Sequence, residues 1–118
     1  MRKLLISYKT LEVSKTMLDE YFGMDTLFVK NYDEDLSLEI TDLIIVINKY
    51  KNATITSNDL VEWAWMMRFS NFYDFPDDDK VCSLMSEIID EILDMRFKNF
   101  KISHCEVEKW IKALSAIK

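Results

Sequence analysis

Three groups of side chains in this chain have the types and spacing that chemistry would need: the His104-Cys105 pair, the Asp77-Asp78-Asp79 run, and the carboxylates Glu87, Glu91 and Asp94. His104 is the only histidine. Neighbouring residues on a helix do not face each other, so a Cys105 nucleophile with a His104 base is sterically mismatched. His104 reads instead as a residue of a helix's first turn. The aspartate run invites a calcium loop, but such a loop needs a central glycine and a glutamate at its twelfth position. Counted from Asp77, that position is Ile88, and no glycine intervenes. Acids at this place are favoured by a following helix dipole in any case. Glu87, Glu91 and Asp94 carry no metal-ligand signature and fit a wetted helix face. The single glycine excludes a Gly-rich phosphate loop. Cys82 and Cys105 belong to no CxxC and make no disulfide framework; both read as small apolar residues. The expectation is a protein without catalytic residues, metal or cofactor.

What remains is a surface. Phe72, Tyr73 and Phe75 lie among Asp74 and the three aspartates. Aromatics are enriched at interface centres, and carboxylates around them would speed association with a basic partner. The alternative is that these aromatics fold back onto the core. Residues 74–94 hold eight acids against one lysine, within a formal charge of −6. That balance argues against binding nucleic acid through its phosphates. It suits a basic protein partner, or solubility alone.

The elements that must position these residues are helical. The pattern K-N-x-x-I-[ST]-x-x-[DE]-[LV]-x-x-W occurs twice, from Lys51 to Trp63 and from Lys98 to Trp110. Thr56 and Ser103 fit helix N-caps, with Asp59 and Glu106 at the capping-box spacing. Ile55 with Leu60, and Ile102 with Val107, fit hydrophobic staples. Leu36, Ile40, Leu43, Ile44, Ile47 and Tyr50 form one helical stripe, broadened by Ile45 and Val46. The β-branched run within it leaves a buried strand as the alternative. A further helix is expected from Ser57 to about Phe69, with apolar residues to spare at Val61 and Trp65. Past Pro76, a helix start or a turn just before one, the stripe Val81, Leu84, Met85, Ile88, Ile92 and Met95 marks the next. The last spans Ser103 to Ile117, with Val107, Trp110, Ile111, Leu114 and Ile117 inward. Residues 1–32 are least legible. Leu4, Ile6 and Tyr8 alternate as a strand would, while Leu4, Tyr8 and Leu11 fit a helix; Ser14 fits the cap of a short helix through Phe22, stopped by Gly23. The segment 25–33 fits either another helical turn or a loop. The chain therefore reads as one all-α domain over 1–118: a bundle of about five helices, its halves related by a pseudo-repeat. No signal peptide or membrane span is visible, so a cytoplasmic protein is expected.

The run Tyr50-Lys51-Asn52, Ile55-Thr56, Asp59-Leu60 and Glu62-Trp63-Ala64, with Trp110 near the C-terminus, resembles small helical bacterial immunity proteins, the antidotes encoded beside polymorphic or contact-dependent-inhibition toxins. Many of these have the look Y-x-N-G-x-I-T-x-x-x-L-x-x-W-A, followed by an acidic helix and a final helix with a tryptophan. The resemblance covers residues 36–114 and departs at Ala53, where glycine would be expected. It implies a cytosolic protein that binds and neutralises a cognate toxin domain, often a basic nuclease, through an acidic surface. The resemblance carries over no contact residue of its own; on the acidic character of the stretch, the expected contact surface is Tyr73, Asp74, Asp77, Asp78 and Asp79, with Glu87, Glu91 and Asp94 behind them. The competing expectation is a regulatory or scaffold module that uses Val61, Trp65 and Phe69 to dock a partner helix or a second copy.

Overall fold

The computed structural model describes residues 2–26, 36–70, 72–95 and 104–117. They form six helices and one small parallel ribbon: α1 (Arg2–Tyr8), α2 (Lys15–Phe22), β1 (Leu36–Ser37), α3 (Ile40–Lys51), α4 (Ser57–Phe69), β2 (Tyr73–Asp74), α5 (Asp79–Asp94) and α6 (His104–Ile117). The all-α expectation holds, with the ribbon as the exception. The radius of gyration, 13.8 Å, is close to the roughly 13.5 Å of a single compact domain of this length.

The helix starts follow local side-chain chemistry. At Thr56 both halves of the capping box are present: the hydroxyl accepts from the Asp59 amide at 3.1 Å, and Asp59 Oδ2 accepts from the Thr56 amide at 3.0 Å. Ser14 caps α2 by accepting from the Met17 amide. The second predicted box, at Ser103, and its staple residue Ile102 lie outside the described residues, as do residues 27–33 of the segment 25–33. Residues Leu4, Ile6 and Tyr8 are helical, not extended.

The helix ends show one device used three times. Behind α1, the Glu12 amide reaches the Ser7 carbonyl and the Leu11 amide the Tyr8 carbonyl, both at 3.0 Å. Behind α3, the Thr54 amide reaches Lys49 and the Ala53 amide reaches Tyr50. Behind α2, the Met24 amide returns to Asp19. The first two pairs are Schellman closures, which satisfy orphan carbonyls but place one residue in the left-handed region. Only Gly23 (φ 68°) does so without a Cβ penalty; Leu11 (φ 55°) and Ala53 (φ 59°) bear it.

Two sequence expectations need correction. Leu36 does not begin the long helix: it lies in β1, whose Leu36 pairs with Tyr73 and Ser37 with Asp74. The Leu36 amide donates to Phe72 O at 2.9 Å and the Leu38 amide to Asp74 O at 2.8 Å. The helix starts at Ile40, where the Glu39 amide donates to Asp42 Oδ2. At the other end, Ile117 is exposed while Val107, Trp110 and Leu114 point inward. The surplus apolar residues of α4 are explained by its position. It packs between α3 and α5 and also touches β2, so Val61, Met66 and Met67 are buried along with Leu60, Trp63 and Ala64. The central helix α3 packs on α4, α5 and α6.

Replacing Ala53 by glycine relieves left-handed strain of about 1–2 kcal/mol against an added unfolded-state entropy of about 0.5–1 kcal/mol. Ala53→Gly is expected to raise stability by about 0.5 kcal/mol in urea titration; destabilisation would contradict the strain assignment. Tyr8 is fully buried, and its hydroxyl has no hydrogen-bond partner among the described residues. Tyr8→Phe is therefore expected to leave thermal stability unchanged or to raise it by up to about 1 kcal/mol.

Candidate protein-binding surface

The acids singled out in the sequence lie along one helix and the loop that enters it. The ribbon strand β2 ends at Asp74, Pro76 turns the chain, and Asp78 begins α5 as its N-cap, with its Oδ1 accepting from the Lys80 amide at 3.0 Å and the Val81 amide at 3.2 Å. Asp77 and Asp79 flank that cap, where the helix dipole favours negative charge. Asp74, Asp77, Asp78, Asp79, Glu87, Glu91 and Asp94 are all exposed. None of these seven makes an ion pair with a described residue. The neighbouring Asp90, by contrast, reaches Arg68 at 3.5 Å. Further along α5, Glu91 accepts a short hydrogen bond from the Trp110 indole N–H.

The aromatic part of the expected surface is corrected. Tyr73 is buried, and its hydroxyl donates to the Leu5 carbonyl at 2.6 Å. Phe72 is fully buried and stacks on Phe22 with ring centroids 5.7 Å apart. Phe75 is half-buried against the core. The physical reason is the ribbon: alternation along a strand turns Tyr73 inward where Asp74 turns outward. The structure thus brings the carboxylates to the surface and removes Tyr73 from it. The candidate alternative face is also reduced. Val61 is buried and Trp65 half-buried, while Phe69, 56% exposed, packs its ring 4.9 Å from that of Trp65.

A second feature was missed in the sequence. A cleft of about 200 Å³ opens where the starts of α2 and α4 meet, lined by Leu11, Ser14, Lys15, Ile55, Asp59 and Glu62 among others. The Lys15 ammonium lies 3.0 Å from Asp19 and 2.7 Å from Asp25. Burial works to lower its pKa, but Asp25 and Asp19 outweigh burial and hold it above the usual lysine range. Burial alone would raise the Asp19 carboxyl; the Thr26 amide and hydroxyl, each at 2.7 Å, and Lys15 hold it below the usual carboxylate range. Burial pushes the Glu62 carboxyl up, Lys15 opposes this, and Asp19, Asp59 and Asp25 add to it. The Lys15–Asp19 spacing is the helical i,i+4 pair that a sequence can reveal. The approach of Asp25 and Glu62 is tertiary. The network ties the α2 ends together; its lysine is held by two carboxylates, and no nucleophile stands beside a base.

Among the described residues, no group of three or more His, Cys, Asp or Glu side chains is placed to hold a metal ion. No helix among them is long and apolar enough to cross a membrane. Comparison with protein-family profiles, with curated proteins and with solved structures finds no match to this chain.

Of the seven acids, Asp78 and Glu91 make side-chain hydrogen bonds within the fold and the other five make none with described residues. Asp78→Ala is expected to cost about 1 kcal/mol through the lost cap. Asp77→Ala and Asp79→Ala are expected to stay within about 0.5 kcal/mol of the parent in urea denaturation.

Proposed function

We propose that the chain is an antidote that binds a cognate basic toxin domain and blocks it through the acidic surface of α5 and its entry loop. The observation that carries this reading is that the exposed acids Asp74, Asp77, Asp78, Asp79, Glu87, Glu91 and Asp94 make no ion pair with a described residue, Asp90 alone on this stretch being paired, with Arg68. Unpaired carboxylates on a rigid helix cost little in the free protein and attract a cationic surface strongly over a Debye length. Their arrangement along a helix imitates the spaced negative charge that a nuclease cleft is built to meet. The likeness of residues 36–114 to helical immunity proteins supports the same reading. Tyr73 drops out of the contact set because it is buried; Asp74, Asp77, Asp78, Asp79, Glu87, Glu91 and Asp94 remain. No catalytic, metal or cofactor role is proposed.

A second reading rests on Phe69 and the outer side of Trp65, an apolar spot that a partner helix or a second copy would cover. Hydrodynamic mass separates the two: a stable homodimer at micromolar concentration favours this module.

The test is capture by the tagged full chain from lysate of its source cell, with salt-gradient elution, followed by expression of the captured protein with and without the chain. The reading expects a basic partner that arrests growth alone and is harmless when co-expressed. Asparagine caps a helix as well as aspartate does, so replacing Asp77, Asp78 and Asp79 together by asparagine leaves the fold intact. That variant is expected to lose about tenfold or more in affinity, with a flatter salt dependence. Unchanged affinity would move the interface to the Phe69 side.

A further inference from the structure

Between α5 and α6 runs a groove of about 90 Å³. Glu87 and Glu91, one helical turn apart on α5, line one side, and Lys109 of α6 lines the other. Between them lie Ile88, Ala113 and Trp110, so the bottom is apolar. The two carboxylates differ in how they are held. Glu91 Oε2 accepts from the Trp110 indole N–H, which holds that carboxylate at the groove, and its Oε1 makes no hydrogen bond with a described residue. Glu87 makes no hydrogen bond or ion pair with any described residue. An apolar trough with one oriented carboxylate, and a second one turn away, is a poor metal site: metals of this class need three or more ligands, and no such cluster is present among the described residues.

Resting on the antidote reading above, we propose that this groove is the anchor point for an arginine side chain of the basic partner. The aliphatic stem lies on Ile88 and Ala113 beside the Trp110 ring, and the guanidinium bridges Glu87 and the free oxygen of Glu91. Arginine fits better than lysine for two reasons. Its planar fork presents donors in two directions, so that it can engage the oriented Glu91 carboxylate and Glu87 together. It is also more weakly hydrated, so it loses less on entering an apolar trough. Lys109 opposes the incoming charge, and the groove therefore admits only a cation that engages both acids at once.

The experiment uses the ¹⁵N-labelled full chain and follows its three tryptophan indole N–H resonances, with that of Trp110 identified by its loss in Trp110→Phe. Tri-arginine and tri-lysine peptides are titrated separately at low salt. The expected result is a saturable shift of the Trp110 indole signal with tri-arginine at an affinity at least about threefold above tri-lysine. Glu87→Gln is expected to weaken that binding about fivefold with an unchanged melting temperature, and Lys109→Gln to strengthen it about twofold. Equal response to both peptides, a silent Trp110 signal, or binding indifferent to Glu87→Gln would overturn the proposal. The two readings fail separately. A toxin bound equally well by the Glu87→Gln variant removes the anchor and leaves the antidote. Tri-arginine seated in the groove, with no toxic partner found, removes the antidote and leaves an arginine-binding groove.

Discussion

The closing end of α1 has carbonyl groups that its own seven residues cannot satisfy, and the rest of the molecule is arranged to receive them. A short helix leaves its last carbonyls without internal partners. Here the Lys9 carbonyl accepts from the Trp63 indole N–H at 3.0 Å and the Thr10 carbonyl from the Lys49 ammonium at 2.6 Å. The Leu5 carbonyl accepts from the Tyr73 hydroxyl at 2.6 Å. Each donor comes from a different element: α4, α3 and β2. In return, Lys9 reaches the Ser37 carbonyl at 3.0 Å and Asp42 at 3.5 Å. Because buried backbone groups left unpaired are expensive, these donors fix where α1 sits. Trp63, the closing residue of the first copy of the motif, holds the N-terminal arm through the Lys9 carbonyl.

Local grammar was legible in the residues and long-range pairing was not. The cap at Thr56 with Asp59, the α2 cap at Ser14 and the stop at Gly23 are set by neighbours within a few positions, and all three could be read directly. The absence of glycine at position 53 was visible as an oddity, but only the backbone shows that Ala53 takes the left-handed seat of a helix closure. The ribbon was missed because its strands are two residues long, too short for alternation to register against a helical stripe. The same omission misplaced Tyr73: nothing local announces that its ring turns inward toward Leu5. The surplus apolar residues of α4 signalled burial on two sides as much as a free face, and its neighbours decide between these. For the acids, position along a helix was legible from spacing; exposure and the lack of ion pairs with described residues needed the three-dimensional structure.

The division of labour among acids has a simple physical basis. A carboxylate bound by backbone amides, as at Asp78, Asp59 or Asp42, is held in place by the fold and keeps its charge. One paired with a cation, as Asp90 is with Arg68 or Asp19 with Lys15, is partly neutralised before any partner arrives. Those left on α5 keep their full field. Residues 74–94 hold eight acids against one lysine, so this stretch carries a strong local excess of negative charge.

The β1–β2 ribbon joins Leu36 to Tyr73 across the whole α3–α4 hairpin. Bringing such distant positions together costs loop entropy that only a formed hairpin can reduce. On topology alone the order of assembly expected is that α3 and α4 close first, the ribbon pairs behind them, and α1 docks last on donors from α3, α4 and β2. Opening runs the same steps backward. Ribbon and N-terminal arm are then expected to open as one unit, their amides exchanging with solvent together and before those of α3 to α6.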